Sequence, residues 1–164
     1  MNGRTSTVKG FTLVEILIVV VILGILAAIV VPQFTNASQS AKSSSTTSLL
    51  QSIRSQLELF QVQHNGNYPV LDSTWAIMIN KSGSTDAGPA AGTASSLIYG
   101  PYLQQAPRNP FVATAVNTAV NSSWNGTALP TTSAKSETYG WYYQSSTGKI
   151  AAGGFVEATG LMIP

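Results

Sequence analysis

The chain has no cysteine and a single histidine in 164 residues, and only 9% of it is charged, against roughly 25% in an ordinary soluble domain. The missing cysteine excludes disulfide scaffolds, thiolate zinc sites and cysteine nucleophiles. With His64 alone, no multi-histidine metal site can form. Six acids spread along the chain leave little material for carboxylate catalysis, and no phosphate-binding glycine loop is present. These shortages argue against an enzyme. They also argue against a charge-rich disordered chain and a polybasic nucleic-acid binder. The net charge of +2 rests on Arg4 and Lys9. Beyond residue 10, Lys42, Arg54, Lys81, Arg108, Lys135 and Lys149 balance Glu15, Glu58, Asp72, Asp86, Glu137 and Glu157. No basic patch points to DNA or RNA.

What is abundant is apolar and lies at one end. After the polar, basic residues 1–10 come 21 residues, Phe11 to Val31, interrupted only by Thr12, Glu15 and Gly24. As a helix, that run reaches roughly 32 Å, the thickness of a bilayer's hydrocarbon core. The basic residues before it would stay cytoplasmic, so the rest of the chain faces outward. A cleaved secretory signal is the competing reading, but the run is long for a signal core and Ala27-Ala28 or Asn36-Ala37-Ser38 make poor cleavage sites. Glu15 favours a retained helix. A carboxylate in an apolar span costs on the order of 2–3.5 kcal/mol at the helix centre, and such acids mark a partner charge.

The residues Lys9-Gly10-Phe11-Thr12-Leu13-Val14-Glu15, with the apolar run to Pro32, resemble the leader and helix of type IV pilins and type II secretion pseudopilins. The resemblance implies cleavage after Gly10 by a membrane-embedded prepilin peptidase, then N-methylation of Phe11. It also implies that Glu15 pairs with the N-terminal amine of a neighbouring subunit during assembly on an inner-membrane platform. Pairing removes the cost of a buried carboxylate and fixes the axial register between subunits. Pro32 withdraws a backbone donor from Ala28 and predicts a kink where the helix leaves the membrane, and the resemblance implies that the helix can melt locally in this region.

From Gln33 to His64, Leu50, Ile53, Leu57 and Phe60 recur at three- and four-residue steps and make one apolar face. Eight of the twelve residues Ala37 to Ser48 are Ser or Thr, which is poor helix material and leaves a linker as the alternative. Asn65-Gly66-Asn67-Tyr68-Pro69 stops any helix, with Gly66 suited to a left-handed cap. The expected division is therefore 1–10 leader, 11–32 transmembrane assembly helix, 33–64 amphipathic arm and 65–164 globular domain.

In that last segment a short helix is expected at Trp75–Asn80, surface loop at Lys81–Ser96 and ordered extended turns at Gly100–Leu103 and Pro107–Pro110. Residues 112–138 have no period and read as a long exposed loop. Tyr139–Gln144 is the best strand, with Ser145–Gly148 as turn and Lys149–Ala152 as partner. Phe155-Val156 and Leu161–Ile163 supply further strand. Trp141 and Tyr143 share a face and belong in the core rather than on a sugar or base. His64 reads as a helix-end residue favoured by the dipole, not a ligand. The expected fold is α+β, a long N-terminal helix packed on a small antiparallel sheet.

Asn67-Tyr68-Pro69, Gly-Pro-Tyr-Leu at 100–103 and Pro-Arg-Asn-Pro at 107–110 are similar to the major pseudopilin of type II secretion. That resemblance implies a homopolymer joined by other pseudopilins, in the inner membrane with its globular domain periplasmic. The nearest alternative is a type IV pilin for adhesion, motility or DNA uptake. From another class, a secreted or anchored carbohydrate-binding module would use Trp141 and its neighbours. Relatives commonly bind calcium near the C-terminus, but after Pro110 only Glu137 and Glu157 are acidic. Asn121, Asn125 and backbone carbonyls would have to complete six to eight oxygens, so no metal or other cofactor is expected. Glycosylation triplets at Asn36, Asn121 and Asn125 need no more than chance in a chain this rich in Asn, Ser and Thr.

Overall fold

A computed structural model describes residues 10–83, 98–124 and 139–156, and the backbone of residues 161–162. The expected surface loop Lys81–Ser96 and the second half of the expected loop 112–138 lie largely outside the described residues. The chain divides into two compact units, residues 1–38 and 39–164.

One helix dominates the element order. α1 runs Leu13–Gln63 and contains Pro32, and it remains helical through the Ser- and Thr-rich stretch where a linker was the alternative. In the first unit every described residue, Gly10 to Ser38, is exposed. Leu, Ile and Val side chains from Leu13 to Val31 therefore have no cover from their own chain. The helix is long and apolar enough to cross a membrane.

In the second unit α1 turns the expected face inward. Leu50, Ile53, Leu57 and Phe60 are each at most 1% exposed, and burying four such side chains contributes roughly 6–12 kcal/mol before entropy is counted. The helix ends at a cap in which Asn65 and Gly66 take left-handed backbone and the Gly66 N–H donates to the Gln61 carbonyl at 2.9 Å. A side chain at Gly66 would have to adopt that conformation, which is why glycine suits the place. A one-turn helix, α2, follows at Ala76–Ile79.

The five strands are short: β1 Val120–Asn121, β2 Trp141–Gln144, β3 Lys149–Ala152, β4 Phe155–Val156 and β5 Leu161–Met162. β2 and β3 form the expected hairpin, with Trp141 opposite Ala152 and Gln144 opposite Lys149. β4 pairs with β5 in a separate antiparallel ribbon. The main sheet is mixed rather than antiparallel, in the order β1-β2-β3, because β1 joins β2 in parallel. A parallel neighbour requires a long connection, and the chain between Asn121 and Trp141 is long enough to supply one. This is also where the expected exposed loop is corrected. Val120 is fully buried, the Asn109 N–H donates to Asn117 O, and a two-residue strand is too brief to show a period.

α1 packs its core face with Leu71, Trp75, Ile77, Met78 and Tyr102, with Val120, Trp141, Tyr143, Ile150 and Ala152 from the main sheet, and with Phe155 from β4. The indole N–H groups find carbonyls, Trp75 on Thr118 and Trp141 on Pro107, both at 2.9 Å. Arg54 donates from α1 to the Ile150 carbonyl of β3 at 3.1 Å. The fold is α+β, as the residue pattern predicted.

Candidate functional site

The candidate site lies where the chain enters α1. Gly10, Phe11 and Thr12 precede the helix and are exposed, with open space around the Gly10 Cα. Thr12 is the N-cap. Its N–H and its hydroxyl both donate to Glu15 Oε2 at 2.8 Å, and the Glu15 N–H donates back to Thr12 Oγ1 at 3.3 Å. This is a reciprocal capping box, in which side chains satisfy backbone donors that the first helical turn leaves open. It also places a negative charge at the positive end of the helix dipole.

The structure thus brings Phe11 and Glu15 to the same helix end. Cleavage after Gly10 would leave this cap intact, because Thr12 keeps both donors. Glu15 Oε1 has no partner among the described residues. Thr12 is the residue that pattern reading missed. Its signal is the Thr-x-x-Glu spacing ahead of an apolar run.

Pro32 lies well inside α1, apart from this cluster. One turn on, the Thr35 hydroxyl donates to the Val31 carbonyl at 3.2 Å. Asn36 is exposed on the helix. The Asn121 side chain accepts the Ser123 N–H at 3.0 Å, while Asn125, Glu137 and Glu157 lie outside the described residues. No group of three or more His, Asp or Glu side chains able to hold a metal occurs among the described residues.

Two further polar residues prove to be buried. His64 lies at the end of α1, as expected, and is only 1% exposed. Its ring stacks on Phe60 with centroids 3.7 Å apart. Nδ1 lies 2.9 Å from Phe60 O and Nε2 lies 3.0 Å from Ser82 Oγ. The pair has the spacing of a nucleophile and its base, yet both residues are buried. It works as a clamp between the helix end and the Ser82–Tyr99 bridge.

Asn109 is fully buried. Its Nδ2 donates to Gly140 O at 2.7 Å and Gly153 O at 2.8 Å, and its Oδ1 accepts the Phe111 N–H at 2.9 Å. This amide ties the Pro-Arg-Asn-Pro turn to both ends of the β2–β3 hairpin. Its turn-forming bond to Phe111 was legible from its residue type, but its long-range bonds were not.

The aromatic run is also buried. Trp141, Tyr142 and Tyr143 are at most 2% exposed. Trp141 and Tyr143 enter the core as alternation predicted, and Tyr142 is covered on the other face, where Tyr139 packs at 6.3 Å. A sugar-binding module built on these rings therefore loses its stacking platform.

The geometry defines a class, that of subunits carrying an uncovered apolar helix, an acid in its first turn and an α+β body. Residues 5–31 match the family model described as the prokaryotic N-terminal methylation motif. The chain is 30% identical over 103 residues to the type II secretion system core protein G of Aeromonas hydrophila, covering 63% of this chain and 67% of that one. It is 34% identical to the same component of Dickeya chrysanthemi over 44% of this chain and 47% of that one. It is 38% identical to a type IV narrow pilus major component of Thermus thermophilus over 49% and 66%. No solved structure matches the chain. The chain belongs to the family of type II secretion core protein G, the pseudopilin relatives of type IV pilins.

Proposed function

We propose that this chain is the structural subunit of a type II secretion pseudopilus, and that it does its work by polymerising. The observation that carries the reading is the wholly exposed apolar helix from Leu13 to Val31 with Glu15 in its first turn. Such a surface is stable only in lipid or against other apolar helices. The precursor would sit in the inner membrane with Arg4 and Lys9 cytoplasmic and residues 39–164 periplasmic. Prepilin peptidase would cut at Gly10–Phe11 and methylate the new amine. In the filament, the ammonium of one Phe11 would meet the Glu15 carboxylate of the next subunit. Unpaired, that carboxylate would be costly in the apolar interior, so pairing selects one register. The apolar helix supplies cohesion and the charge pair supplies alignment.

Other pseudopilins and an inner-membrane platform would be its partners. A separate cytoplasmic ATPase would drive assembly, so that the growing filament pushes folded cargo outward. The test is the intact mass and N-terminal peptide of membrane-extracted protein. A chain beginning at N-methylated Phe11 supports the reading, and one beginning beyond residue 27 overturns it. The similarity to a Thermus pilus component sustains a second reading, a type IV pilin at the cell surface. Loss of secretion without loss of surface pili in a deletion strain favours the pseudopilin, and the reverse pattern favours the pilin.

A further inference from the structure

We infer that Asn65, at the end of α1, is a site of spontaneous deamidation, a covalent modification whose rate the helix cap controls. Among the described residues Asn65 is the only asparagine followed by glycine. The reaction needs the backbone nitrogen of the next residue to reach the asparagine side chain, and a Cβ on that residue stands in the way. Gly66 has none, and no neighbouring atom lies within 4 Å of where one would stand. Both residues are exposed, so water, the other reactant, has access.

The Gly66 nitrogen, on losing its proton to solvent, attacks Asn65 Cγ and forms a new N–C bond. The Cγ–Nδ2 bond breaks, and the leaving nitrogen takes up a proton and departs as ammonia. Water then opens the succinimide ring at either carbonyl, giving aspartate or isoaspartate. The net change consumes one water and releases one ammonia, with no oxidant or reductant.

The cap opposes the first step. The Gly66 N–H is bound to the Gln61 carbonyl at 2.9 Å, and Gln61 Nε2 donates to the Gly66 carbonyl at 3.2 Å. The Asn67 N–H closes the turn on His64 O at 3.0 Å. Attack requires the first of these bonds to break and Asn65 to leave the left-handed backbone it holds at φ 54°. Helix ends open locally far more often than a core does, so the cap slows the reaction and does not prevent it. Phe60 and His64, both buried, confine that opening to the cap.

Either product puts a carboxylate at the negative end of the α1 dipole, beside carbonyls that already lack helical donors. Isoaspartate also adds a methylene to the main chain, which shifts the Gly66 N–H off the Gln61 carbonyl. Subunits therefore lose their α1 cap with age, and refolding does not restore it. This holds whichever filament the subunit builds.

Peptide mapping of the full chain in detergent, aged in mildly alkaline buffer with and without urea, tests the inference. Asn65 should convert to aspartate and isoaspartate in both, about tenfold more slowly in the folded chain. Gln61→Ala removes one bond from the cap, so it should speed conversion of the folded chain roughly threefold and leave the rate in urea unchanged. Gly66→Ala should suppress conversion in urea, where the cap plays no part. The converted chain should melt at a lower temperature than the fresh one. An Asn65 that stays intact in the folded chain while converting in urea would overturn the inference, and so would equal rates in the two. Wild-type rates from Gly66→Ala in urea or from folded Gln61→Ala, or an unchanged melting temperature after conversion, would overturn it as well.

Discussion

Thr12 and Glu15 hold one another across the first turn of α1, with both Thr12 donors on a single carboxylate oxygen at 2.8 Å. The carboxylate therefore serves the helix of its own subunit and keeps one oxygen without a partner among the described residues. Cap and charge can be separated by substitution. Glu15→Gln keeps an acceptor for the cap and loses the charge, so processing at Gly10–Phe11 should continue while filament yield collapses. Thr12→Ala keeps the charge and loses the cap, about 1 kcal/mol of helix stability, so filaments should form at reduced yield. Sedimentation of sheared filaments, with mass spectrometry of the subunit, reads both. Normal filaments from Glu15→Gln would end the proposed pairing.

Asn109 supplies a sharper test of the globular unit. A carboxylate there has no N–H to offer the carbonyls of Gly140 and Gly153, and its charge would be fully buried beside them. Asn109→Asp should cost about 2–4 kcal/mol at neutral pH. Burial raises the carboxyl pKa in the folded state. The penalty therefore grows as pH rises through that value and shrinks in acid, where the protonated group can donate one bond. Thermal unfolding of the solubilised chain at several pH values measures it, and a loss independent of pH would contradict the electrostatic account.

Two glycines with positive φ should respond unequally to alanine. At Gly66, φ is 83° and open space surrounds the missing side chain, so only the backbone term of about 1 kcal/mol is lost. At Gly148, φ is 68° and a Cβ would fall 2.3 Å from the Tyr68 ring. Gly148→Ala must displace Tyr68 from the β2–β3 turn and should destabilise clearly more. Denaturant midpoints of the two variants should differ in that order.

Alkali should unfold the second unit through its tyrosines. The Tyr143 hydroxyl is buried and donates to Pro69 O at 2.9 Å. Burial, and then the nearby Tyr68, push its pKa well above the usual value. Tyr102 and Tyr142 are raised in the same direction, chiefly by burial. A raised folded-state pKa means that stability is fully present below the unfolded value near 10 and is lost as pH climbs toward the folded one. The expected slope above pH 10 is about 1.4 kcal/mol per pH unit for Tyr143. Tyr143→Phe should flatten that slope by one tyrosine's share, at the cost of an unpaired Pro69 carbonyl.

Patterns within one element were legible without coordinates. The apolar run from Phe11 to Val31, the Leu50–Ile53–Leu57–Phe60 stripe, the Gly66 stop and the β2–β3 hairpin each depend on residues a few positions apart. Their chemistry acts through local geometry, namely helical periodicity, left-handed backbone at glycine and strand alternation. The acid at Glu15 belongs with these, because an ionised group inside an apolar run is conspicuous before any folding occurs.

What the tertiary structure decided depends on distance along the chain. The parallel placement of β1, the burial of His64 between Phe60 and Ser82, and the reach of Asn109 to Gly140 and Gly153 all join residues far apart in sequence. A polar side chain carries no mark of which distant carbonyl it will satisfy. That partner exists only once the core has brought the segments together, and burial then makes the hydrogen bond obligatory. The chain's composition and first helix therefore determined its filament-subunit character by themselves. The closure of its globular unit was decided by contacts that only folding creates.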